Sequence, residues 1–477
     1  MELDSKTFNS TDQALFSYLS GDNNPIHLDA VAARRTQMGY PIVHGINAVL
    51  WAMEAACRRE EFSPVSLQVN FLAPIYVGDT GVATLARLSD SQLRIDVSVE
   101  GMLATAVTLG LGGERKSASP VNEERVQASD WPRLPVELSL EDIKAQIGAI
   151  AFAHPSERLA AVFPALCRSI SSKRVAAMVG LSRLVGMICP GLHSILKNCS
   201  LDFAEIEGGE VLRYATLEVN ERFRVVRVSI SGPGIAGEVA AYGRLPPIAQ
   251  PTIEEIARLV PRGAYAGATV LVVGGSRGLG EVAAKACAAG GAHVLVTYAV
   301  GRAEAERVAH EISGHGGICG VHAFDVRADV KAQLSNLRVS PTHLYYFASG
   351  PMARRRAKFM SEDVLADFLC FYTKGFLETC NVLLAGAPSR ELRAFYPSSV
   401  SITNPAKGRT EYAMAKAAGE VLCRNMNQSL PGMHVLCHRL PRLLTDQTAT
   451  VMPAESSPVL DVMLPIVSEM QSPRKAV

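Results

Sequence analysis

A turn-forming segment near the start of the chain, Ser20–Asp29, constrains the fold more than any other part of the sequence. Its order is Ser-Gly-Asp-Asn-Asn-Pro-Ile-His-Leu-Asp, and its Gly, Asn and Pro residues are typical of a turn rather than of a helix or strand interior. The segment places Asp22 five residues before His27. A carboxylate and an imidazole held together can take one proton from water and deliver another. An isolated pair of this spacing is more often a capping aspartate and a solvated histidine.

The segment is followed by Pro41-Ile42-Val43-His44-Gly45. Together the two stretches resemble the signature of MaoC-like (R)-specific enoyl-thioester hydratases. The resemblance implies an α+β hotdog fold, with Asp22 and His27 as the catalytic pair. It also implies that the turn faces the N-terminus of the central helix, where the backbone N–H of Gly45 stabilises a thioester oxyanion. We interpret His44 as a packed or capping residue.

The residues after this motif predict one helix wrapped by an antiparallel sheet. An apolar run, Gly45–Arg59, indicates a long helix, and Asn24 is expected to orient the loop rather than to react. We expect a motif-bearing hotdog over residues 1–113 and a linker over 114–133, where the sequence is polar and broken by prolines. The predicted strands are Ser66–Leu72, Thr80–Leu88, Gln92–Val99 and Met102–Leu111.

Residues 134–248 look like an altered second copy of this arrangement. An apolar segment, Leu184–Asn198, takes the place of the helix, and the Asp-x-Asn-Pro-x-His motif is not repeated. Such a tandem resembles double-hotdog hydratases, in which the motif-free half widens the groove for the acyl chain. An unrelated α+β domain is the alternative. The predicted strands are Leu201–Ile206, Val211–Val219, Phe223–Ser231 and Gly237–Arg244.

The pattern changes after residue 248. Residues 249–265 are predicted to be a linker, because the proline-rich run from Pro246 to Pro251 is a stiff spacer. From Ala268 onward apolar strands alternate with helices, which indicates βαβ units and a parallel sheet. We therefore expect an α/β, doubly wound parallel-sheet domain over residues 266–452 and a C-terminal helix and tail over 453–477.

A glycine-rich turn follows the first strand of this domain. Thr269–Val273 is predicted as a buried strand, Gly274–Gly280 follows it, and Glu281–Ala289 is predicted as a helix. Glycines let the backbone turn tightly and approach a phosphate at the helix N-terminus. The order of strand, turn and helix therefore favours a Rossmann-like dinucleotide site.

The spacing of Gly274, Gly278 and Gly280 resembles that of short-chain dehydrogenases/reductases. Val273 stands where a threonine commonly precedes the first glycine, so we expect one hydrogen bond to be lost. The resemblance implies that the following residues bind the cofactor: Gly274, Ser276, Arg277, Gly278, Leu279, Gly280, Arg302, Asp325, Val326, Gly350, Tyr412, Lys416 and Thr445.

The end of the second strand indicates which cofactor is bound. The strand His293–Tyr298 is not followed by an acid that would bind a ribose hydroxyl, while Arg277 and Arg302 are nearby. An acid would repel a 2′-phosphate, whereas a guanidinium binds it. The sequence therefore favours NADPH over NADH. The alternative for Arg302 is a solvated residue at the start of a helix.

A second candidate centre lies near the C-terminus. Tyr412 and Lys416 match the Tyr-x-x-x-Lys motif of the same family and share one helix face. We expect the ammonium to lower the pKa of the phenol, which can then act as acid or base. Ser399 lies thirteen residues earlier, where the family has the serine that binds the substrate carbonyl. Ser398 is the neighbouring alternative, although its side chain is expected on the other strand face.

Three departures from the family pattern bear on this centre. Its Asn-Asn-Ala-Gly motif becomes Phe347-Ala348-Ser349-Gly350, and Tyr372 stands where a helix asparagine supports the lysine through water. After Thr445 no last strand is evident. Only a helix-like run, Val459–Met470, follows, and it is interrupted by Pro465. The supporting proton relay is therefore altered.

Bulk properties limit the class of protein. The 477 residues predict two to four domains, and 48% apolar with 19% charged residues is typical of a soluble globular chain. The net charge of +1 argues against a nucleic-acid or membrane surface. We expect no signal peptide or membrane span. Ten scattered cysteines without a C-x-x-C pair indicate a reduced cytoplasm with neither disulfides nor a metal site.

These features together predict a cytoplasmic bifunctional enzyme. NADPH-dependent reduction of a 3-oxoacyl thioester would give a 3-hydroxyacyl thioester, and dehydration would give a trans-2-enoyl thioester. The substrate would be an acyl-CoA or an acyl carrier protein thioester, and the resemblance implies a homodimer. One alternative is a single active dehydratase centre joined to a degenerate nucleotide-binding domain. Another is a non-catalytic scaffold that binds acyl carriers.

Overall fold

A computed structural model describes residues 1–112, 133–203, 211–350, 352, 359–386, 391–405, 408–451 and 454–471. The chain divides into two compact units, with Met1–Pro246 in the first and Pro247–Ala449 and Ala454–Val477 in the second. The predicted linker at 114–133 lies outside the described residues except for Arg133. Within the described ranges, no helix is both long and apolar enough to cross a bilayer.

The first unit contains short capped helices around two long central ones. An Asn9–Asp12 capping box starts the first helix, and Gly21 ends it in the left-handed conformation, with φ 72°. The helices are α1 Ser10–Ser20, α2 Pro25–Leu28, α3 Ala30–Arg34, α4 Gly45–Arg59, α5 Leu140–Lys144, α6 Leu159–Val162, α7 Pro164–Ile170 and α8 Ser172–Arg183. A 3₁₀ turn at Ser156–Arg158 precedes α6, and a π-helical turn at Leu184–Ile188 extends α8.

The strands of the first unit form one antiparallel sheet. They are β1 Glu2–Thr7, β2 Pro64–Phe71, β3 Thr80–Ser89, β4 Gln92–Val99, β5 Met102–Leu111, β6 Ile147–Ala151, β7 Ser194–Asp202, β8 Val211–Asn220, β9 Val225–Gly232 and β10 Ile235–Gly243. Their order is β1-β3-β4-β5-β2-β7-β10-β9-β8-β6. The order is β1-β3-β4-β5-β2 in the first half and, counted from the opposite edge, β6-β8-β9-β10-β7 in the second, so corresponding strands occupy the same places. The halves meet where β2 pairs with β7 through partners such as Val69 and Cys199.

The central helices pack on this sheet. In α4 the residues from Ile46 to Ala56 are buried, and α8 is buried in the same way from Val175 to Arg183. The predicted helix at Gly45–Arg59 is confirmed, and the predicted strands of the first half agree within two residues. These features confirm the predicted hotdog-like fold of the first unit.

The predicted second central segment, Leu184–Asn198, is wrong as a single element. The helix instead runs before it, and the segment holds only the π-helical turn and the start of β7. Pro190 and Gly191 end the helical conformation, since Pro cannot donate to a helix and Gly191 adopts φ 82°. The predicted strand Leu201–Ile206 is also shifted, because the observed strand β7 begins at Ser194 and ends at Asp202. The last three residues of the predicted strand lie outside the described ones.

The second unit alternates strands and helices. The helices are α9 Ile253–Ala257, α10 Gly278–Ala289, α11 Arg302–Gly314, α12 Val330–Leu334, α13 Glu362–Leu369, α14 Gly375–Ala385, α15 Thr410–Ser429 and α16 Val459–Glu469. The strands are β11 Thr269–Val273, β12 His293–Tyr298, β13 Ile318–Ala323, β14 His343–Tyr346, β15 Leu392–Ser399 and β16 Met433–Leu440. A π-helical turn at Cys370–Lys374 joins α13 to α14, and a 3₁₀ turn at Val400–Ile402 follows β15.

These strands form a parallel sheet in the order β13-β12-β11-β14-β15-β16. The order reverses direction between β11 and β14, where ligands bind at the carboxyl ends of strands in open α/β sheets. The predicted Rossmann-like parallel fold is confirmed. Among the described residues after β16 there is a helix and an isolated bridge between Leu443 and Ser457, but no further strand.

Two local predictions about this unit are wrong. Part of the predicted linker at 249–265 forms α9, because Ile253 and Ile256 share one helix face and both are buried in the core. The predicted interruption at Pro465 does not occur, and α16 continues through it. Its apolar residues, among them Met463 and Ile466, are buried, and this packing compensates for the backbone donor that proline lacks.

Candidate active site

The segment that carries Asp22 and His27 is a loop that closes into one helical turn. Gly21 ends α1, Asp22 follows it, and Asn24 caps α2 by accepting a hydrogen bond from the Ile26 N–H at 3.2 Å. His27 therefore lies on α2 rather than in the open turn that the sequence predicts. Pro25 at the first position of α2 favours the helical turn, because a backbone N–H at that position would have no partner within the helix.

One hydrogen bond fixes the protonation of the His27 ring. Its Nδ1 lies 2.7 Å from the carbonyl oxygen of Ile42. Because a carbonyl only accepts, Nδ1 carries the proton and Nε2 of the neutral ring is free to accept one. Burial lowers the pKa of His27, while the Asp22 carboxylate raises it. The ring is therefore prepared to act as a base at Nε2.

Asp22 is buried and hydrogen-bonded at both carboxylate oxygens. Its Oδ2 accepts from Ser182 Oγ at 2.7 Å, and its Oδ1 accepts from the Asn24 N–H at 3.1 Å. Burial raises the pKa of Asp22, and His27 and the hydrogen bonds act in the opposite direction. An elevated pKa is what a carboxyl group needs in order to exchange protons near neutral pH.

The motif-free half holds this loop in place. Asn24 donates from Nδ2 to the carbonyls of Gly186 at 2.8 Å and Leu192 at 3.2 Å. A Cβ on Gly186 would lie 2.4 Å from Asp22 Oδ1, so only glycine lets the helix approach the carboxylate this closely. Asp22 and His27 therefore come from one half of the unit, and residues that support their loop come from the other.

His44 is packed rather than capping. Its ring stacks on His27 with centroids 3.8 Å apart, and its side chain makes no capping bond to α4. The backbone N–H and Nδ1 of His44 both contact Gln13 Oε1, at 3.1 and 2.9 Å. Gly45 begins α4 directly beyond it, and its N–H lies outside the hydrogen-bond ladder of the helix.

The same cluster offers atoms that could bind a metal ion. Ligand atoms of Asp22, His27 and His44 all lie within 4.8 Å of one another. Of the two His27 nitrogens, Nδ1 is already bonded to Ile42, which leaves Nε2. Each carboxylate oxygen of Asp22 also has a hydrogen-bond donor.

The glycine turn of the second unit has the shape of a phosphate site. Gly274 and Gly278 adopt φ 76° and 58°, and a Cβ on Gly280 would lie 2.3 Å from the Gly274 carbonyl oxygen. The turn leads directly into α10, whose N-terminal N–H groups face a bound anion in such sites. These residues fit the pyrophosphate of a dinucleotide.

A threonine on the neighbouring strand supports this turn. Thr297 Oγ1 accepts the Gly274 N–H at 3.1 Å, and Thr297 is fully buried. A threonine hydroxyl on β12 therefore bonds to the turn, whose preceding residue, Val273, has no hydroxyl. Sequence spacing gives no signal for this, because the two strands become neighbours only in the sheet.

The other predicted cofactor residues lie around the same strand ends. Thr445 Cγ2 would be 3.7 Å from a Cβ on Gly278, and Arg277 pairs with Asp446 at 2.9 Å. Arg302 is exposed at the start of α11 and pairs with Glu306 at 2.8 Å.

Further predicted residues follow the other strands. Asp325, after β13, pairs with Arg327 at 2.7 Å, which lowers the pKa of its carboxyl. Val326, Ser276 and Leu279 are buried or half-buried, and Gly350 follows β14.

Ser399 and Tyr412 meet at the end of β15. Burial raises the pKa of Tyr412, while a hydrogen bond with Ser399 and the charge of Arg409 lower it. Ser398 points elsewhere, as expected, and donates to Glu420 at 2.6 Å. The structure thus pairs the predicted serine with the predicted tyrosine.

The expected effect of Lys416 on Tyr412 is wrong. The pKa of the phenol is raised because burial outweighs its polar neighbours. Lys416 instead donates from Nζ to the Pro397 carbonyl at 2.6 Å, and burial lowers the pKa of the lysine to about 7. Tyr372 lies beside it, and its hydroxyl is 2.6 Å from Ser349 Oγ.

Two family models match the chain. Residues 2–107 match the model described as MaoC like domain, and residues 268–455 match the model described as short chain dehydrogenase. The chain joins a MaoC-like domain to a short-chain dehydrogenase domain. A comparison with curated protein sequences found no match.

Solved structures resemble the short-chain dehydrogenase part. A 3-oxoacyl-[acyl-carrier protein] reductase from Brucella melitensis is 19% identical, covers 47% of this chain and 90% of its own, and has a TM-score of 0.40. FolM alternative dihydrofolate reductase 1 from Brucella suis, in complex with NADP, is 19% identical over 39% of this chain and 77% of its own, with a TM-score of 0.36.

The support of both centres came from residues that the sequence did not single out. In the MaoC-like unit Ser182 and Gly186 position Asp22, although they lie in the motif-free half. In the short-chain dehydrogenase domain Thr297 holds the glycine turn. Gly186 lies inside an apolar helical run, and this was the one sequence signal for the support of Asp22. Such a glycine often marks a close approach of the backbone to another group.

Proposed function

We propose that the chain is a bifunctional acyl-thioester enzyme. It would reduce a 3-oxoacyl thioester with NADPH and reversibly dehydrate the 3-hydroxyacyl product to a trans-2-enoyl thioester. The observation that carries the proposal is that each unit has its own set of polar groups able to move a proton. Asp22 and His27 form one set, and Ser399, Tyr412 and Lys416 form the other.

Hydration would use the Asp22 and His27 pair on one water molecule. Nε2 of His27 and the free lone pairs of the Asp22 carboxylate can hold the water between them. One group takes a proton from the water as its oxygen bonds to C3, and the other delivers a proton to C2 on the same face. The Gly45 N–H at the start of α4 would bind the thioester oxygen, where negative charge develops.

Reduction would use the strand ends of the second unit. The glycine turn with Thr297 would hold the pyrophosphate, and Arg277 and Arg302 would face the 2′-phosphate that distinguishes NADPH from NADH. When bound, NADPH supplies the hydride. Ser399 would donate a hydrogen bond to the substrate carbonyl, and Tyr412 would give its proton to that oxygen.

The carrier, the assembly and the location are parts of this proposal. We expect an acyl-CoA or an acyl carrier protein thioester, because the proposed dehydration needs the thioester carbonyl to acidify the C2–H. A homodimer follows from the family resemblance alone. Ten cysteines, all present as free thiols, support a cytoplasmic location.

Mass spectrometry of a short 3-oxoacyl-CoA incubated with the protein and NADPH tests both activities. A 3-hydroxyacyl product establishes reduction, and an enoyl product establishes both steps. Asp22→Asn or His27→Ala should abolish hydration of crotonyl-CoA and spare reduction, and Tyr412→Phe should do the reverse. Loss of both activities in either folded variant would refute two separate sites.

A single active centre is the second candidate function. The raised pKa of Tyr412 and the presence of Tyr372 beside Lys416 favour it over two active centres. The retained Asp22 and His27 argue against a non-catalytic scaffold, since a protein that only binds does not need that pair. NADPH binding without turnover, together with hydration of crotonyl-CoA, would support it. Binding of an acyl carrier protein without turnover at either centre would point to a scaffold instead.

A further inference from the structure

The surroundings of Lys416 in the second unit are aromatic. Its Nζ lies 3.8 Å from the centre of the Tyr372 ring, 5.0 Å from that of Tyr396 and 5.8 Å from that of Tyr412. Its hydrogen bond goes to the Pro397 carbonyl at 2.6 Å. A nitrogen so close to a ring centre directs at least one N–H at the ring face, which carries partial negative charge.

The Tyr372 ring is fixed on several sides. It lies on the π-helical turn Cys370–Lys374, a type of irregularity often found at functional sites. Its ring is parallel to that of Phe368, at 14° and 5.7 Å, and meets Tyr412 edge-on, at 82° and 5.6 Å. Its hydroxyl bonds to Ser349 Oγ. The ring therefore presents one face to the ammonium and cannot turn away.

The Tyr372 ring face is important because few groups around Lys416 stabilise its ammonium. Burial disfavours the ammonium, and the titratable groups that oppose this effect are the thiols of Cys437 and Cys423. Burial also raises the pKa of Tyr372 well above its usual range, so its ring stays neutral and supplies no full charge. Besides these thiols, the described residues in contact with the Nζ are the Pro397 carbonyl and the tyrosine ring faces, of which that of Tyr372 is the nearest.

We propose that Tyr372 is a positioning residue that holds the charged form of Lys416 through its ring face. The helix sets the ammonium one turn from Tyr412, and with one N–H on the Pro397 carbonyl and one on the ring, one N–H is left to bind a cofactor or substrate hydroxyl. The inference rests on the proposed reductase and gives a role to the residue that replaces the expected asparagine. The ring of Tyr372 carries this role, and its hydroxyl anchors the ring.

Two substitutions separate the ring from the hydroxyl. Tyr372→Phe keeps the ring and loses the bond to Ser349, whereas Tyr372→Leu removes the ring. A cation–π contact stabilises the charged form of a buried amine. Removing the ring should therefore lower the pKa of Lys416 by about 0.5–1.5. The limb of the reduction pH profile that needs the ammonium should move to lower pH by the same amount.

The direct measurement is NMR titration of protein labelled with ¹³C at lysine Cε, with the Lys416 signal assigned from a Lys416→Arg variant. We expect the pKa of Lys416 in Tyr372→Phe to match that of the wild type, and in Tyr372→Leu to be lower. Because Leu could disturb packing, fluorinated phenylalanines at position 372 provide a second series that keeps the shape and weakens the ring face. The pKa of Lys416 should then fall stepwise with fluorination.

Equal titration of Lys416 in all variants would overturn the proposal, as would a shift in Phe as large as that in Leu. The titration needs no turnover. A wild type that does not reduce 3-oxoacyl-CoA would therefore refute the proposed reductase, while the NMR series would still decide the role of Tyr372.

Discussion

Ser182 Oγ donates a 2.7 Å hydrogen bond to Asp22 Oδ2 across 160 positions of sequence. Both residues are buried, so water cannot replace the bond if the hydroxyl is removed. Asp22 lies in one half of the first unit, and this donor lies in the half without the motif. The second half therefore contributes directly to the surroundings of the Asp22 carboxyl.

Ser182→Ala should move the pH dependence of hydration. Hydrogen bonds to a charged group are worth about 1.5–3 kcal/mol, so losing this one should raise the pKa of Asp22 by roughly one to two. If activity needs the carboxylate, the acidic limb of kcat for crotonyl-CoA hydration should shift to higher pH. Ser169→Ala, which loses a partly buried bond to the Phe62 carbonyl instead, should leave the profile unchanged. An unchanged profile in Ser182→Ala would show that the bond does not tune Asp22.

Gly186→Ala should displace the carboxylate. Its new methyl group would lie 2.4 Å from Asp22 Oδ1, well inside contact distance. A misplacement of about 1 Å can cost on the order of 100-fold in rate, and we expect a loss of that order in hydration while reduction is spared. Gly180→Ala is the matched control, since its methyl group would meet neighbours at an ordinary 3.7 Å. Equal activity of the two variants would contradict the predicted contact.

Thr297→Val should weaken dinucleotide binding. The two side chains have the same shape, but valine leaves the Gly274 N–H without its 3.1 Å acceptor. An unsatisfied buried donor costs about 1–3 kcal/mol, so the dissociation constant for NADPH should rise by roughly tenfold when measured by nucleotide fluorescence. Thr379→Val loses a similar bond within α14, to the Gly375 carbonyl, and should bind NADPH normally. Binding that is equally tight in both variants would remove Thr297 from the site.

Glu54→Ala should destabilise the first unit. The carboxylate accepts the N–H groups of Ala165 and Leu166 at the start of α7, at 3.2 and 2.8 Å, and it is buried. We expect the free energy of unfolding to fall by about 2–3 kcal/mol. Urea titration with tryptophan fluorescence measures it, since both tryptophans precede residue 246.

Glu60→Ala is the control for this change. Glu60 forms a more exposed ion pair with Arg87, and such pairs are worth about 0–1 kcal/mol. A similar destabilisation in both variants would mean that Glu54 does no more than a surface charge.

Uninterrupted segments could be predicted from the sequence, and segments defined by tertiary neighbours could not. The helix Gly45–Arg59 is an apolar run of 15 residues without a proline, which is too long for a strand, so it is correctly predicted as a helix. Leu184–Asn198 is apolar without a period, and apolarity alone cannot tell the end of a helix from the start of a strand.

The candidate site divides in the same way. Asp22 and His27 are close in sequence and carry a motif, whereas Ser182 and Thr297 act through contacts between distant segments. The direction of the Tyr412 pKa shift was also beyond the sequence, because it depends on how deeply the phenol is buried. The sequence shows which groups could react but not what surrounds them.

The pairing of β2 with β7 makes the first unit one continuous sheet built from a single chain. The loop that carries Asp22 and the helix α8 that contacts it are therefore parts of one chain. Their effective concentration for each other is set by that chain rather than by the protein concentration. Dilution cannot separate Asp22 from Ser182. Only one half has to preserve the reactive pair, and the other is free to change wherever it does not touch that loop.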